Sequence, residues 1–418
     1  MKGRGSKAAR WLAAAVALAA AQASASTVNA TSTTLLTGRP DVRYGEVHSA
    51  VPIVELVGLS AQGFEVPAVD DLKLRVSGWG RLDAARTGDL AGDLEVAFLQ
   101  GRLLDRRLAL TLGRHIVTGG AARFTQLDGA SAEVAIARGF GVAAYGGLPV
   151  VPRFAVARGD AVFGGRLFWR RSVSTEVGAS VVNVLDHGVF ARQDLGLDAR
   201  YQATKALAVA GYGLWSLAEA RLAEVDVGPT YSPTSEVQVS AQYRRTAPDL
   251  FLPRSSIFSV FAETRRDEVG ASAQYQPRPY LSLFADYHSL WTGDGRGDDL
   301  GARASFRSDP TGTTTLAAQA RWLRIPSNGY VQVRLSGTRK LLPRLLLALD
   351  LDGYAFSQPI NGATMSTTAA VTGAYAFAPG WQAVLSGTAG ETPLLAQRFE
   401  LFAKLVYDYS TTTTGKTP

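Results

Sequence analysis

The sequence predicts an all-β protein, a transmembrane antiparallel up-and-down β-barrel of about 18 to 20 strands, with about 16 to 22 as the expected range. Three observations predict it. An export signal opens the chain, "MKGRGSKAARWLAAAVALAAAQASAS". No later stretch holds the roughly 20 uninterrupted apolar residues of a membrane helix. From Leu72 onward, segment after segment alternates apolar and polar residues. Only helices and closed barrels satisfy every backbone hydrogen bond in lipid, so an exported chain of alternating strands has one way to cross.

Taken in order, residues 1–25 read as a signal peptide. Lys2, Arg4, Lys7 and Arg10 form a basic region, an apolar run follows from Trp11, and "AQASAS" offers small-residue cleavage sites. Those four cations account for much of the formal net charge of +7, so the charge does not argue for a nucleic-acid partner. There is no Cys, which excludes disulfides and a lipidated N-terminal cysteine. Residues 26–50 are Ser/Thr-rich without a clear pattern and read as a periplasmic lead-in or short plug. The barrel is expected over 51–410, with a C-terminal tail over 411–418.

Within the barrel the alternation is repeated many times. Leu72, Leu74 and Val76 oppose Lys73, Arg75 and Ser77; Val237, Val239, Ala241 and Tyr243 oppose Gln238, Ser240, Gln242 and Arg244; Val331, Val333 and Leu335 oppose Gln332, Arg334 and Ser336. From Tyr231 onward two kinds of connection alternate. "SPTS" (232–235), "QPRP" (276–279), "DPTG" (309–312), "KLLPR" (340–344) and "APGW" (378–381) are tight. "RTAPDLFLPRSS" (245–256), "TGDGRGDD" (292–299), "IPSNG" (325–329) and "SQPING" (357–362) lie between them and are mostly longer or more polar, as expected of outer loops. Short turns on one side and longer loops on the other are the expected asymmetry of an outer-membrane barrel. "LPRSSIF" (252–258), in the longest connection, reads as a segment that folds inward and narrows the pore.

Trp169, Tyr201, Trp215, Tyr231, Tyr243, Tyr275, Tyr287, Phe306, Trp322, Tyr407 and Tyr409 sit near strand ends, where two aromatic girdles would meet the membrane interfaces. The apolar set therefore faces lipid and the polar set faces a lumen too wide for side chains to fill. The candidate pore-lining residues are Lys73, Arg75, Arg166, Arg170, Arg200, Asp226, Glu236, Arg244, Arg303, Arg307, Arg334, Asp350, Asp352, Glu400, Lys404 and Asp408. Charges of both signs, with Arg the commonest, suit a hydrated polar or anionic solute.

The last alternating segment, "RFELFAKLVYDYS" (398–410), resembles the terminal strand that barrels present to the barrel assembly machinery. "LTLGRHIVTGG…RFTQLDGA" (110–130) resembles the early strands of porin-type barrels. "GWGRLD" (78–83), with the size and the signal, looks like the barrels that accompany polysaccharide export in myxobacteria. That resemblance implies passage of exopolysaccharide across the outer membrane and a periplasmic polysaccharide-export protein as partner. Outer-membrane lipid and lipopolysaccharide would surround the barrel. A general diffusion porin and a barrel anchoring a surface or motility complex are the other readings. No enzyme, cofactor or metal is expected: the four His are scattered, and P-loop, nucleophile-elbow and EF-hand motifs are absent. His288 and Ser289 are neighbours and would point to opposite faces of a strand.

Overall fold

A strand in lipid leaves no backbone group unpaired, so the fold is decided by how the first strand meets the last. In a computed structural model that describes residues 27–43, 46–84, 90–150, 160–247, 265–309 and 311–412, the two meet directly. β1 (Thr27–Arg43) pairs with β23 (Leu395–Thr412) from Thr27↔Thr412 to Gly38↔Leu401. Its other edge pairs with β3 (Pro52–Val66). β2 (Glu46–Ala50) continues β3 in one register along β1, with Arg39 opposite Ala50 and Leu36 opposite Ile53. Counting these two as one wall strand, the barrel has 22 strands, closed and antiparallel throughout.

The wall then runs through β4 (Val69–Asp83), β5 (Leu90–Leu103), β6 (Leu108–Thr118), β7 (Phe124–Ala135), β8 (Phe140–Pro149), β9 (Ala161–Ser172), β10 (Thr175–Asp186) and β11 (Val189–Gln202). It continues through β12 (Leu207–Ser216), β13 (Arg221–Tyr231), β14 (Val237–Thr246), β15 (Arg266–Arg278), β16 (Leu281–Thr292) and β17 (Gly295–Arg307). β18 (Thr314–Arg324), β19 (Gly329–Leu342), β20 (Leu345–Ile360), β21 (Ala363–Ala378) and β22 (Trp381–Thr392) complete the ring. A single turn of 3-10 helix, Gly120–Ala122, is the one helical element among the described residues. No helix there is long and apolar enough to cross a membrane.

The ring has 22 strands, inside the expected range of 16 to 22 and above its 18-to-20 centre. One expectation is corrected: residues 27–43 and 46–50 are neither lead-in nor plug but β1 and β2. Ser and Thr stand on both faces of β1, with Thr31 and Thr33 facing inward and Ser32 and Thr34 outward, so no apolar period showed. The outward pair is satisfied by Glu55, whose carboxylate accepts a hydrogen bond of 2.6 Å from each hydroxyl. Residues 1–26, where a signal peptide is expected, and residues 413–418 of the expected tail lie outside the described residues; β23 itself runs to Thr412.

The outward face is the apolar one. Val331, Val333 and Leu335 of β19 are each about half exposed and lie beside Trp322, Ala320 and Ala318 of β18. The aromatics at strand ends share that face and form two belts. Tyr201, Tyr231, Tyr275, Phe306 and Tyr407 lie toward the end where β1 starts and β23 stops. Trp215, Tyr243, Tyr287 and Trp322 lie toward the opposite end.

The two longest connections, 150–160 and 247–265, both lie at that opposite end. Two of the expected longer loops are instead tight hairpins: only 293–294 join β16 to β17, and only 361–362 join β20 to β21. Asn361 (φ 50) and Gly362 (φ 84) both adopt positive φ, the geometry of a two-residue Asn-Gly hairpin turn. "LPRSSIF" lies outside the described residues.

Val333 stands in mid-strand on the outward face and Gln332 on the inward face. Val333→Arg is expected to destabilise the barrel in phospholipid vesicles by about 2–4 kcal/mol in urea unfolding, the range for an Arg near the bilayer midplane. Gln332→Arg should cost under about 1 kcal/mol, because its side chain reaches water. Equal losses would contradict the facing.

Candidate functional site: the lumen and an inward-folded hairpin

Among the described residues, strand ends leave the wall at one place. The β5–β6 ladder stops at Ala97↔Arg114, while the β6–β7 ladder continues to Thr118↔Phe124 and the β7–β8 ladder to Leu127↔Pro149. Beyond a line of three facing glycines, Gly113↔Gly129↔Gly147, these strand ends leave the wall. A Cβ at these positions would run into the backbone carbonyls of Ala97, Gly146 and Asp128, and Gly113 also has φ +107, a conformation costly for any other residue. Backbones can therefore approach closely there and the sheet can fold over.

The folded part is a flap built from the upper ends of β6 and β7, with Gly119–Arg123 at its tip. It lies against the inner face of β9–β13. Leu127 and Ala121 are fully buried in a small apolar core with Val162, Val182, Leu214 and Ala223, and Val117, Tyr145 and Val184 pack on its edge. Burial of each of the larger side chains is worth about 1.5–3 kcal/mol. At the tip the Ala121 N–H donates to Ser180 Oγ at 2.6 Å. Arg123 pairs with Glu224 and lies over the Tyr212 ring, 5.5 Å from its centroid, while Tyr212 Oη donates to Glu224 Oε1 at 2.7 Å. Glu224 is 2% exposed because the flap covers it.

The back of the flap is tied to the wall it left. Arg114 holds Asp128 through two 2.7 Å hydrogen bonds and reaches the Leu94 carbonyl at 2.7 Å and Asp93 at 3.4 Å. Gln126 donates to the Glu95 carbonyl. His115, buried at the fold line, contacts Ser131 Oγ and the Gly113 carbonyl, both at 2.9 Å. Between flap and wall lies a cavity of about 900 Å³ lined in part by Arg75, Phe98, Gln100, Thr111, His115 and Glu133. That is the size of a small-molecule site.

All the candidate pore-lining residues except Glu236 lie in strands, and the register puts them on the face opposite the Val and Leu set. Glu236 falls in the connection before β14. Many are matched with acids. Arg166 and Arg170 share Glu176 at 2.7 and 2.6 Å, Arg166 also holds Asp198, and Arg200 lies 3.8 Å from Glu176. Arg244 pairs with Asp226 at 3.2 Å and Arg334 with Asp350 at 2.5 Å; Asp352 accepts from Gln332 at 2.9 Å, and Glu400 pairs with Arg398 at 3.0 Å. Lys73, Arg75, Arg303, Arg307 and Lys404 make no ion pair with any described residue, and neither do the acids Glu236, Asp352 and Asp408 of the set.

Sequence reasoning missed the flap. Its arginine, Arg123, and its seat, Ser180 and Tyr212, were not candidates, and a lone Arg after "GGAA" carries no signal of its own. The glycines were visible within "LTLGRHIVTGG…RFTQLDGA", but their facing across three strands is a property of register. His288 and Ser289 point to opposite faces as expected: His288 contacts Glu268 at 2.8 Å in the lumen, and Ser289 contacts Arg296 and Asp298 outside. No group of metal ligands occurs among the described residues.

Comparison with solved structures places this architecture. The P pilus usher (PapC) translocation pore matches with a TM-score of 0.51 and 10% identity, covering 92% of this chain and 100% of that one. The chain shares the barrel fold of that pore. The outer-membrane protein OpdK of Pseudomonas aeruginosa matches at TM-score 0.48 and 10% identity, over 92% of this chain and 98% of its own. OccK3 (OpdO) of the same organism matches at TM-score 0.45 and 11% identity, over 92% and 95%. No family model and no curated protein sequence matches the chain.

The absence of native cysteine makes the seating of the flap directly testable. The double variant Ala121→Cys, Ser180→Cys should cross-link on oxidation in the folded barrel and not after heat denaturation. Adding Arg123→Ala should lower the yield severalfold, because Glu224 left buried without its cation costs about 3–5 kcal/mol and regains water only when the tip lifts. Full cross-linking in the triple variant would show that the ion pair does not hold the tip.

Proposed function

We propose that the chain is an outer-membrane channel for small polar solutes with a preference for anions, narrowed from its loop-bearing end by the β6–β7 flap. The observation that carries this reading is the charge left over in the lumen. Among the described residues the lumen acids Glu176, Asp226, Asp299 and Asp350 are matched to arginines, and the five cations Lys73, Arg75, Arg303, Arg307 and Lys404 that pair with no acid outnumber the three candidate acids, Glu236, Asp352 and Asp408, that pair with no cation. A hydrated passage lined by unmatched cations concentrates anions and speeds their entry. The two-belt barrel and the fold shared with a translocation pore support the membrane part of the reading. The longer connections at one end support a reading in which that end faces outside and β1 and β23 begin and end on the periplasmic side.

On this reading the barrel assembly machinery inserts the chain through β23, and no chemistry is performed in the lumen. An acidic exopolysaccharide would meet the same cations, in line with the resemblance carried by "GWGRLD", and would require a periplasmic export partner. The flap seated in the lumen favours a small solute over a polymer.

In planar bilayers under a salt gradient, the reversal potential should report anion preference. Replacing Lys73, Arg75, Arg303 and Arg307 together by Gln should abolish or invert it and leave the barrel folded. A protein that inserts and conducts with cation preference, or whose preference survives the four substitutions, would refute the assignment. Loss of surface polysaccharide on deletion of the gene, with no change in small-anion uptake, would favour the exporter instead.

A further inference from the structure

Above the Tyr243–Tyr287–Trp322 belt the outward face of β14–β18 carries a concentration of arginines. The register places Arg245 opposite Asp267, Asp267 opposite Trp291, and Trp291 opposite Arg296. One row over, Asp298 faces Arg324. Arg265 continues the outward parity of β15 just beyond its first residue. Four arginines therefore share one face with two acids.

The acids are committed. Asp267 takes Arg265 at 2.5 Å, Arg245 at 3.8 Å and the Tyr243 hydroxyl at 2.9 Å. Asp298 takes Arg296 at 3.1 Å and the Tyr287 hydroxyl at 2.6 Å. Arg324 is exposed and makes no hydrogen bond or ion pair through its side chain with any described residue. Arg265 and Arg296 are more than half exposed, so their remaining donors are open. Adjacent strands lie about 4.8 Å apart, so the patch spans on the order of 20 Å across five strands.

Its height decides what it meets. Trp322 and Tyr243 lie two residues below Arg324 and Arg245, about 7 Å along the strand, so the arginines sit at headgroup level above the belt. On β22 the outward face near the same rim carries an acid, Glu391, instead. Arginine forks suit phosphate, and cations at this level attract anionic headgroups.

From this placement we propose that β14–β18 carry a binding site for a phosphorylated lipid headgroup of the outer leaflet, held by Arg245, Arg265, Arg296 and Arg324. The site rests on the membrane reading above but not on what passes through the lumen. It gives the barrel a fixed lipid neighbour on one side, next to the 247–265 connection.

The test uses the folded full-length barrel in phosphatidylcholine nanodiscs, titrated with diphosphoryl lipid A and with the same glycolipid after removal of its phosphates. The wild type should bind the phosphorylated form at least tenfold more tightly than the variant with all four arginines changed to Gln. Arg324→Gln alone, which breaks no internal bond, should weaken binding about threefold or more. Arg339→Gln, on the outward face at the other rim, should leave it unchanged. Equal binding by the fourfold variant, equal binding of the phosphate-free glycolipid, or displacement by inorganic phosphate alone would overturn the site. Far-UV circular dichroism keeps a misfolded variant from being read as a result. If the lipid preference holds while the barrel carries no current, the channel reading fails and the lipid site stands.

Discussion

The structure depends on the pairing of β1 with β23. In lipid an open sheet edge leaves a row of unsatisfied donors and acceptors, each costing several kcal/mol, so the barrel exists only if its first and last strands meet. That constraint explains why a Ser/Thr-rich segment with no apolar period is nevertheless a strand. β1 is needed for its backbone, and its neighbours β3 and β23 supply the side chains that mark the outward face. The same constraint turns Glu55 from an anomaly into a satisfied group, because two hydroxyls of β1 reach it.

Closure at this strand number creates a second problem. The ring is too wide for inward side chains to fill, and water or chain must occupy the space. Among the described residues, chain occupies it on one side. Three facing glycines let the upper ends of β6–β8 fold inward, and the tip finds a small apolar patch on β9–β13 that would otherwise face water. Lumen and flap thus come from one local exception to the rule that every strand stays in the wall.

Much of the fold was legible because alternation is a local signal. Val237, Val239, Ala241 and Tyr243 declare their face within ten residues, and repetition of the pattern is enough to read a barrel and to separate its two faces. What was not legible depended on register. The count lies at the top of the expected range, above its 18-to-20 centre, because β1 hides its period and because β5–β8 are rich in Gly and Ala. Two loops were read as long because Gly, Asn and Asp mark tight hairpins as readily as they mark loops. The flap's salt bridge joins Arg123 at the tip to Glu224 on β13, far away in the chain, and no spacing announces such a pair.

The account stands or falls on which face of the wall meets lipid. Single cysteines placed along β14 from Val237 to Arg244, each carrying a fluorophore, would be read with a lipid-soluble and a water-soluble quencher in vesicles. The odd positions, Val237 through Tyr243, should be quenched from the lipid. The even positions, Gln238 through Arg244, should be quenched from water. Protection of Val239 from both quenchers, as in a closed protein core, would contradict the barrel and everything argued from its lumen.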